Sequence, residues 1–100
     1  NPRAFQNIDL KRHYGVDVDW YERQFEKQKG LCGVCGNSET TVHPRTGKVY
    51  RLAVDHCYDT KEVRGLLCIN CNNGLGRLKH DIPTLQAAIA YLQQFEKESA

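Results

Sequence analysis

Two Cys-x-x-Cys pairs restrict what this chain can fold into more than any other feature of its sequence. The pairs are Cys32/Cys35 and Cys68/Cys71, and the fifth cysteine, Cys57, lies between them. An odd number of cysteines excludes a complete set of intramolecular disulfides, and thiolates three residues apart can both bind one zinc ion. Buried or disulfide-bonded cysteines are the alternative. We predict a closed, structural four-thiolate zinc site, which in a chain of 100 residues would supply much of the folding free energy.

The rest of the composition is typical of one small globular domain. The 100 residues leave room for a single domain, and 40% hydrophobic with 26% charged residues is a foldable balance. No apolar run approaches the roughly 18 residues of a membrane-spanning helix, and no apolar signal segment is visible. The net charge is +2, and residues 31–80 hold seven Lys and Arg against four Asp and Glu. This mild basic excess permits nucleic-acid binding without requiring it.

Local patterns predict a small α+β domain with the order helix, cysteine knuckle, strand, strand, helix, helix. Asp19 and Glu22 form a capping box that would begin the first helix, and Gly30 would end it. Alternating residues predict two strands, and a helical repeat of apolar residues marks the last helix. The predicted segments are a lead-in helix within residues 14–30, strands at 48–54 and 62–67, a helix at 68–79 and a C-terminal helix at 81–98 with the stripe Leu85, Ala88, Ile89, Leu92 and Phe95.

Three polar residues are candidates for a hydrolytic metal site. Asp55 and His56 end the first strand region, and Asn72 directly follows the last paired cysteine, so zinc would draw these positions together. Carboxylate and amide oxygens suit Mg²⁺ or Mn²⁺. An imidazole titrates near neutral pH and suits a general base, and on a regular strand His56 would point away from Asp55. An Asp-His pair also occurs by chance, and Asn72 could equally be a helix cap or a helix-surface residue.

The remaining basic, histidine and aromatic residues form no such constellation. Basic residues near the proposed metal or along the first strand could contact phosphates, although single basic residues are usually only solvated. We expect the other histidines to lie on the surface, the aromatic group of the first helix to join the core, and Cys57 to be a buried free thiol. The basic residues are Arg45, Lys48, Arg51, Arg64, Arg77 and Lys79; the histidines are His13, His43 and His80; the aromatic residues are Trp20, Tyr21 and Phe25.

Three longer motifs carry a family resemblance. They are residues 21–36 (YERQFEKQKGLCGVCG), 52–58 (LAVDHCY) and 63–76 (VRGLLCINCNNGLG). Together they resemble the recombination endonuclease VII family, within the wider group of His-Me finger (HNH/ββα-metal) nucleases. The resemblance covers about residues 14–95, which is nearly the whole chain.

The resemblance implies a fold and a role for each motif residue. The fold would be a zinc-bound ββα-metal core over residues 31–80 with flanking helices. The four paired cysteines would bind structural zinc, and Asp55 and Asn72 would hold a catalytic magnesium or manganese ion. His56 would activate the attacking water. The implied activity is hydrolysis of DNA, duplex or branched, to a 5′-phosphate and a 3′-hydroxyl. A phage origin would place the protein in the host cytoplasm.

The sequence also departs from the family pattern. The family often has Asp-His-x-His, and Tyr58 stands where the second histidine would be. A tyrosine hydroxyl can donate a hydrogen bond to phosphate but does not exchange protons near pH 7. We expect no counterpart here of the long C-terminal portion with which phage junction resolvases dimerise and grip branched DNA. The type of DNA substrate and the oligomeric state, a homodimer included, therefore stay open. The alternatives are a zinc-dependent nucleic-acid-binding module without cleavage and a zinc domain that recruits a protein.

Overall fold

The chain folds into three helices and one two-stranded antiparallel sheet over the residues that the computed structural model describes, 15–57 and 59–99. This is a small α+β architecture, as predicted. The second strand and the last two helices are confirmed to within two or three residues. The elements are α1 (Val18–Lys27), β1 (Ala53–His56), β2 (Val63–Leu67), α2 (Ile69–Arg77) and α3 (Ile82–Ser99).

The prediction for the first strand is wrong in its position. Residues 48–50 do alternate, but they pair locally with residues 41–43 instead of with β2. Val42 and Val49 form an isolated antiparallel bridge. The N–H of His43 donates to the carbonyl of Lys48 at 2.8 Å, and residues 41–50 thus form a small hairpin that precedes β1. We refer to residues 41–50 as the small hairpin.

The N-cap of the first helix lies two residues before the predicted one. Asp17, not Asp19, is the N-cap, and its Oδ1 accepts the N–H of Trp20 at 2.9 Å. Asp19 lies in the first turn, where a negative charge favours the helix dipole. At the other end, Gly30 donates to the carbonyl of Phe25 at 2.8 Å, which confirms the predicted stop.

The core is small and lies where the sheet, α1 and the cysteine pairs meet. Leu66 is completely buried, and its partner in the β ladder is Val54, which is also buried. The buried set is Val18, Cys32, Leu52, Val54, Leu66, Leu67 and Cys68. Two of these seven residues are cysteines of the predicted zinc site, so the metal site is part of the core itself.

Gln28, just after α1, joins this helix to the sheet. Its side-chain Oε1 accepts the N–H of Leu66 at 3.0 Å, and its Nε2 donates to the carbonyl of the same residue at 2.9 Å. The amide therefore bonds to β2 as a neighbouring strand would. Gly65 makes room for it, because a Cβ there would lie 3.2 Å from Gln28 Oε1.

The last helix keeps most of its apolar stripe on the surface. Ile89, Leu92 and Phe95 are 55%, 69% and 48% exposed. The predicted helix is confirmed, but within the described part of the chain its apolar residues are not core. No helix among the described residues has the length and apolar character to cross a bilayer.

Candidate functional site

The four paired cysteines converge on one point. Their Sγ atoms all lie within 4.8 Å of one another, and Cys35 Sγ is 3.9 Å from Cys68 Sγ. A tetrahedral zinc ion with bonds of about 2.3 Å to each sulfur requires sulfur atoms about 3.8 Å apart. The spacing and the soft thiolate donors both fit zinc. The four thiols are thus placed to bind one metal ion, as the sequence predicted.

Backbone hydrogen bonds hold each pair in a tight turn. Gly36 donates to the carbonyl of Cys32 at 3.0 Å, and Gly33 donates to Leu66 at 3.0 Å, which fixes the first pair to β2. Cys68 is the N-cap of α2, and its Sγ accepts the N–H of Cys71 at 3.4 Å. The second pair therefore begins the helix that carries Asn72.

The close approach of the thiols separates their pKa values. Burial acts to raise the pKa of Cys32, but hydrogen bonds from backbone N–H groups and from the Cys35 thiol outweigh it and lower the pKa to about 6. Burial and hydrogen bonds shared with Cys68 and its neighbours raise the pKa of Cys71 to about 12. One thiolate thus forms readily and opposes a second. A divalent cation between them would favour the thiolate form of all four.

The three predicted site residues line one groove of about 740 Å³. Asp55 and His56 come from β1 and Asn72 comes from α2. Asn72 is not the helix cap, since Cys68 has that role. The other lining residues are Asn73, Gly76, Arg77, Lys79 and His80. Carboxylate, amide and imidazole groups thus meet beside two exposed cations, a donor set with hard oxygen atoms that suits Mg²⁺.

Asp55 is held by an ion pair that the sequence did not indicate. It is 7% exposed, and both of its carboxylate oxygens accept from Arg64, at 2.7 Å from Nε and 2.9 Å from Nη2. The hydrogen bond to Asp55 raises the pKa of Arg64 above its ordinary value. Arg64 Nη2 also lies 2.8 Å from Nδ1 of His80. Arg64, interpreted above as a phosphate contact or a solvated residue, instead links a carboxylate to an imidazole.

A β-bulge brings Arg64 to this position. Asp55 pairs with Gly65 and His56 pairs with Val63, so Arg64 is the extra residue of β2. A bulge interrupts the alternation of side chains and often redirects one of them. Asp55 and His56 both line the groove, although adjacent residues of a regular strand would point to opposite faces.

His80 was expected on the surface, and the structure corrects this. It is half-buried, lines the groove and contacts Arg64. It and Lys79 follow α2 in the left-handed region, with φ of 54° and 60°. The N–H of His80 donates to the carbonyl of Leu75 at 2.9 Å, which fixes the turn. Helix periodicity could not have identified His80, because the turn after the helix determines its position.

Cys57 is not the buried thiol that was expected. It is partly exposed in the connection between β1 and β2, where its N–H donates to Glu62 at 2.8 Å. Hydrogen bonds from the Thr60 side chain and backbone lower the pKa of its thiol.

Two residues considered in the sequence analysis lie outside the described residues. They are Tyr58, at the position of the family's second histidine, and His13.

Glu39 is a structural residue near the thiols that the sequence did not reveal. Its Oε1 accepts the N–H of Ile69 at 2.8 Å, and its Oε2 accepts the N–H groups of Thr40 and Thr41 at 3.0 and 3.3 Å. Partial burial acts to raise the pKa of Glu39, but these hydrogen bonds outweigh it and hold the pKa below 4.5. Glu39 thereby joins the segment after the first cysteine pair to the N-terminus of α2.

The small hairpin and the residue after it carry three basic side chains. Arg45 and Lys48 are exposed, whereas the guanidinium of Arg51 lies 5.3 Å from the ring centroid of Tyr21. His43 is half-buried, and its ring centroid is 5.0 Å from that of Tyr50. Of these three cations, Arg45 and Lys48 belong to the hairpin itself, and Arg51 lies against an aromatic ring.

Comparison with known proteins decides the family. Residues 7–94 match the sequence model of recombination endonuclease VII. The chain belongs to the recombination endonuclease VII family. The resemblance inferred from the three motifs is therefore confirmed.

Two phage proteins are similar to this chain, which agrees with its membership of the endonuclease VII family. The Gene 59 protein of Mycobacterium phage D29 is 40% identical over 82 residues, covering 81% of this chain and 46% of that protein. The Gene 59 protein of Mycobacterium phage L5 is 40% identical over 80 residues, covering 79% of this chain and 44% of that protein. The chain thus spans less than half the length of these relatives. No solved structure is significantly similar to it.

Proposed function

We propose that this chain is a divalent-metal-dependent DNA endonuclease stabilised by a structural zinc ion. The observation that carries the proposal is the groove in which Asp55, His56 and Asn72 meet, in a chain of the endonuclease VII family. The thiol cluster next to α2 supports the zinc part of the proposal. Recombination endonucleases act on DNA, and a branched or duplex DNA is the substrate class that we propose.

The order of elements around the groove supports a His-Me finger. In this proposal β1, β2 and α2 are its ββα-metal core, with the residue that activates water at the end of β1 and an oxygen ligand on α2. The bulge after Asp55 and the N-cap at Cys68 determine the two sides of the groove. The helix α1 precedes this core, and the small hairpin lies between the first cysteine pair and β1.

In this proposal each groove residue has a separate role in hydrolysis. Neutral His56 would accept a proton from water as the water oxygen attacks the phosphorus. The bond from phosphorus to the 3′ oxygen breaks, the 3′ oxygen takes a proton from solvent while His56 returns its proton to solvent, and the products are a 5′-phosphate and a 3′-hydroxyl. Asp55 and Asn72 would hold Mg²⁺ or Mn²⁺ through their oxygens, and the bound metal would supply positive charge to stabilise the transition state. Arg77 and Lys79 would position the phosphate.

The test is nicking of supercoiled plasmid by zinc-loaded protein with Mg²⁺. We expect nicking by the wild type and a loss of at least about 100-fold in His56→Ala. His43→Ala is the matched control, because it removes a histidine that is not in the groove. Sealing of the nicks by DNA ligase would verify 5′-phosphate and 3′-hydroxyl ends. Equal nicking by wild type and His56→Ala would refute the mechanism.

A nucleic-acid-binding module without cleavage is the second candidate. It is favoured by the ion pair with Arg64, in which both oxygens of Asp55 already accept hydrogen bonds. DNA binding without any Mg²⁺- or Mn²⁺-dependent nicking would support this candidate over the endonuclease.

A further inference from the structure

We propose that Arg64, positioned by His80, makes binding of the divalent cation at Asp55 depend on a DNA phosphate. In this inference, which rests on the proposed function, the cation does not bind well without the phosphate. Arg64 is a positioning residue: it acts on the cation through Asp55 and does not contact the reacting atoms.

The charges around Asp55 carry the argument. Asp55 contributes one negative charge to the groove, and Arg77 and Lys79 line the same groove with one positive charge each. Arg64 adds a third positive charge in direct contact with the carboxylate. A divalent cation that approaches Asp55 in the free protein therefore meets a surplus of positive charge.

The geometry leaves room for the cation in spite of this surplus. Each Asp55 oxygen accepts one hydrogen bond from Arg64, and a carboxylate oxygen can accept two. Arg64 thus weakens the cation site through charge, without blocking it. Mg²⁺ in proteins is commonly bound by one or two carboxylates together with substrate phosphates. A DNA phosphate would supply both a further oxygen ligand and the missing negative charge.

Arg64 is held too firmly to leave Asp55 at no cost. Its side chain is 42% exposed, but its guanidinium is fixed on one side by Asp55 and on the other by His80. The bulge in β2 directs it there, and His80 is held by the left-handed turn after α2. The ion pair is therefore a fixed part of the groove and not a mobile surface contact.

The experiment measures Mn²⁺ binding by electron paramagnetic resonance in zinc-loaded full chain. All proteins carry His56→Ala, so that a short DNA duplex stays intact, and Asp55→Asn identifies the signal that belongs to this site. With Arg64 present, we expect at least about tenfold tighter Mn²⁺ binding when DNA is added, within the range usual for coupled ligands. With Arg64→Gln, we expect tight Mn²⁺ binding without DNA and a DNA effect below about threefold.

Two further variants separate charge from structure. Arg64→Lys keeps the positive charge, and we expect it to keep the DNA dependence that Arg64→Gln loses. Arg23→Gln removes an equal charge from α1, away from the groove, and should leave the dependence intact. If Arg64→Gln fails to fold, His80→Ala keeps the ion pair but releases one side of Arg64, and its DNA dependence should be intermediate.

Several results would overturn the inference. They are equal Mn²⁺ affinity with and without DNA when Arg64 is present, an Arg64→Gln protein that behaves like its parent, or an Arg64→Lys protein that behaves like Arg64→Gln. In each case nicking that still requires Mg²⁺ and His56 would leave the proposed function intact. Absence of Mn²⁺ binding in every protein, together with absence of nicking by the parent with an intact His56, would reject both proposals.

Discussion

The side-chain amide of Gln28 forms hydrogen bonds with both backbone groups of Leu66, at 3.0 Å to the N–H and 2.9 Å to the carbonyl. Leu66 is the most deeply buried residue of the core, and this contact joins α1 to the sheet beside the thiol cluster. The carbonyl of Leu66 also accepts the N–H of Gly33, whereas the N–H of Leu66 donates to Gln28. Removal of the amide would therefore leave a buried donor without its partner.

We expect Gln28→Ala to lower the free energy of unfolding by about 1–3 kcal/mol, the usual cost of an unsatisfied buried polar group. Urea denaturation of the zinc-loaded protein measures it. Gln24→Ala is the matched control, because Gln24 donates only to the side chain of Gln28, at 2.7 Å. A loss in Gln24→Ala as large as that in Gln28→Ala would contradict this account of how α1 is attached.

Removal of one zinc ligand should unfold the chain. We expect Cys71→Ser to lose stoichiometric zinc and cooperative unfolding, because structural zinc contributes on the order of 10–16 kcal/mol and exceeds the stability of a small domain. Cys57→Ser should retain both, since its thiol is not in the cluster. Metal analysis and circular dichroism of the two variants provide the measurement, and a strong chelator should reproduce the Cys71→Ser result in the wild type.

The two exposed cations of the groove should govern DNA affinity more than the reaction itself. Arg77→Gln and Lys79→Gln should each weaken binding to duplexes of any sequence. Each should also reduce the slope of log affinity against log salt by about 0.9, the value for one phosphate contact. Fluorescence anisotropy at several salt concentrations measures this slope. Arg23→Gln is the control, and an unchanged slope in both groove variants would mean that the DNA does not enter the groove.

The hydrogen bonds of Glu39 should make the stability of the folded chain sensitive to acid. Hydrogen bonds hold its pKa below 4.5 in the folded chain, so its contribution to stability is complete above pH 4.5 and falls as the pH drops through the folded value. We expect Glu39→Ala to cost about 1 kcal/mol near neutral pH, the typical net worth of an intramolecular hydrogen bond, and less below pH 4.5. The quantity to compare is the difference in the free energy of unfolding between wild type and variant at each pH, because acid also protonates the zinc-binding thiolates in both proteins. Glu26→Ala, on the surface of α1, should show no such pH dependence.

Local signals account for what the sequence could predict. The spacing of Cys32, Cys35, Cys68 and Cys71 predicts the cluster because two short turns suffice to bring each pair together. The second strand and α2 follow from residue patterns within ten positions. Asp55 and Asn72 could be expected in one place because each is close in sequence to a segment that the thiols hold.

Nonlocal geometry accounts for what the sequence could not predict. Arg64 reaches Asp55 from a bulge between Val63 and Gly65, and His80 reaches Arg64 from a left-handed turn. The pairing of Gln28 with Leu66 joins residues 38 positions apart. The first strand was wrongly predicted at residues 48–54, because alternation identifies an extended segment but does not show which segment it pairs with.

The small hairpin at residues 41–50 has a consequence for protein engineering. Its bonds between Val42 and Val49 and between His43 and Lys48 are internal, and the chain on either side is fixed by Glu39 and by the buried Leu52. Its tip at residues 44–47 can therefore be exchanged for loops of other lengths and charges while the groove stays unaltered. Substrate preference could be selected from a library of such tips, with the chemistry carried by an unchanged scaffold.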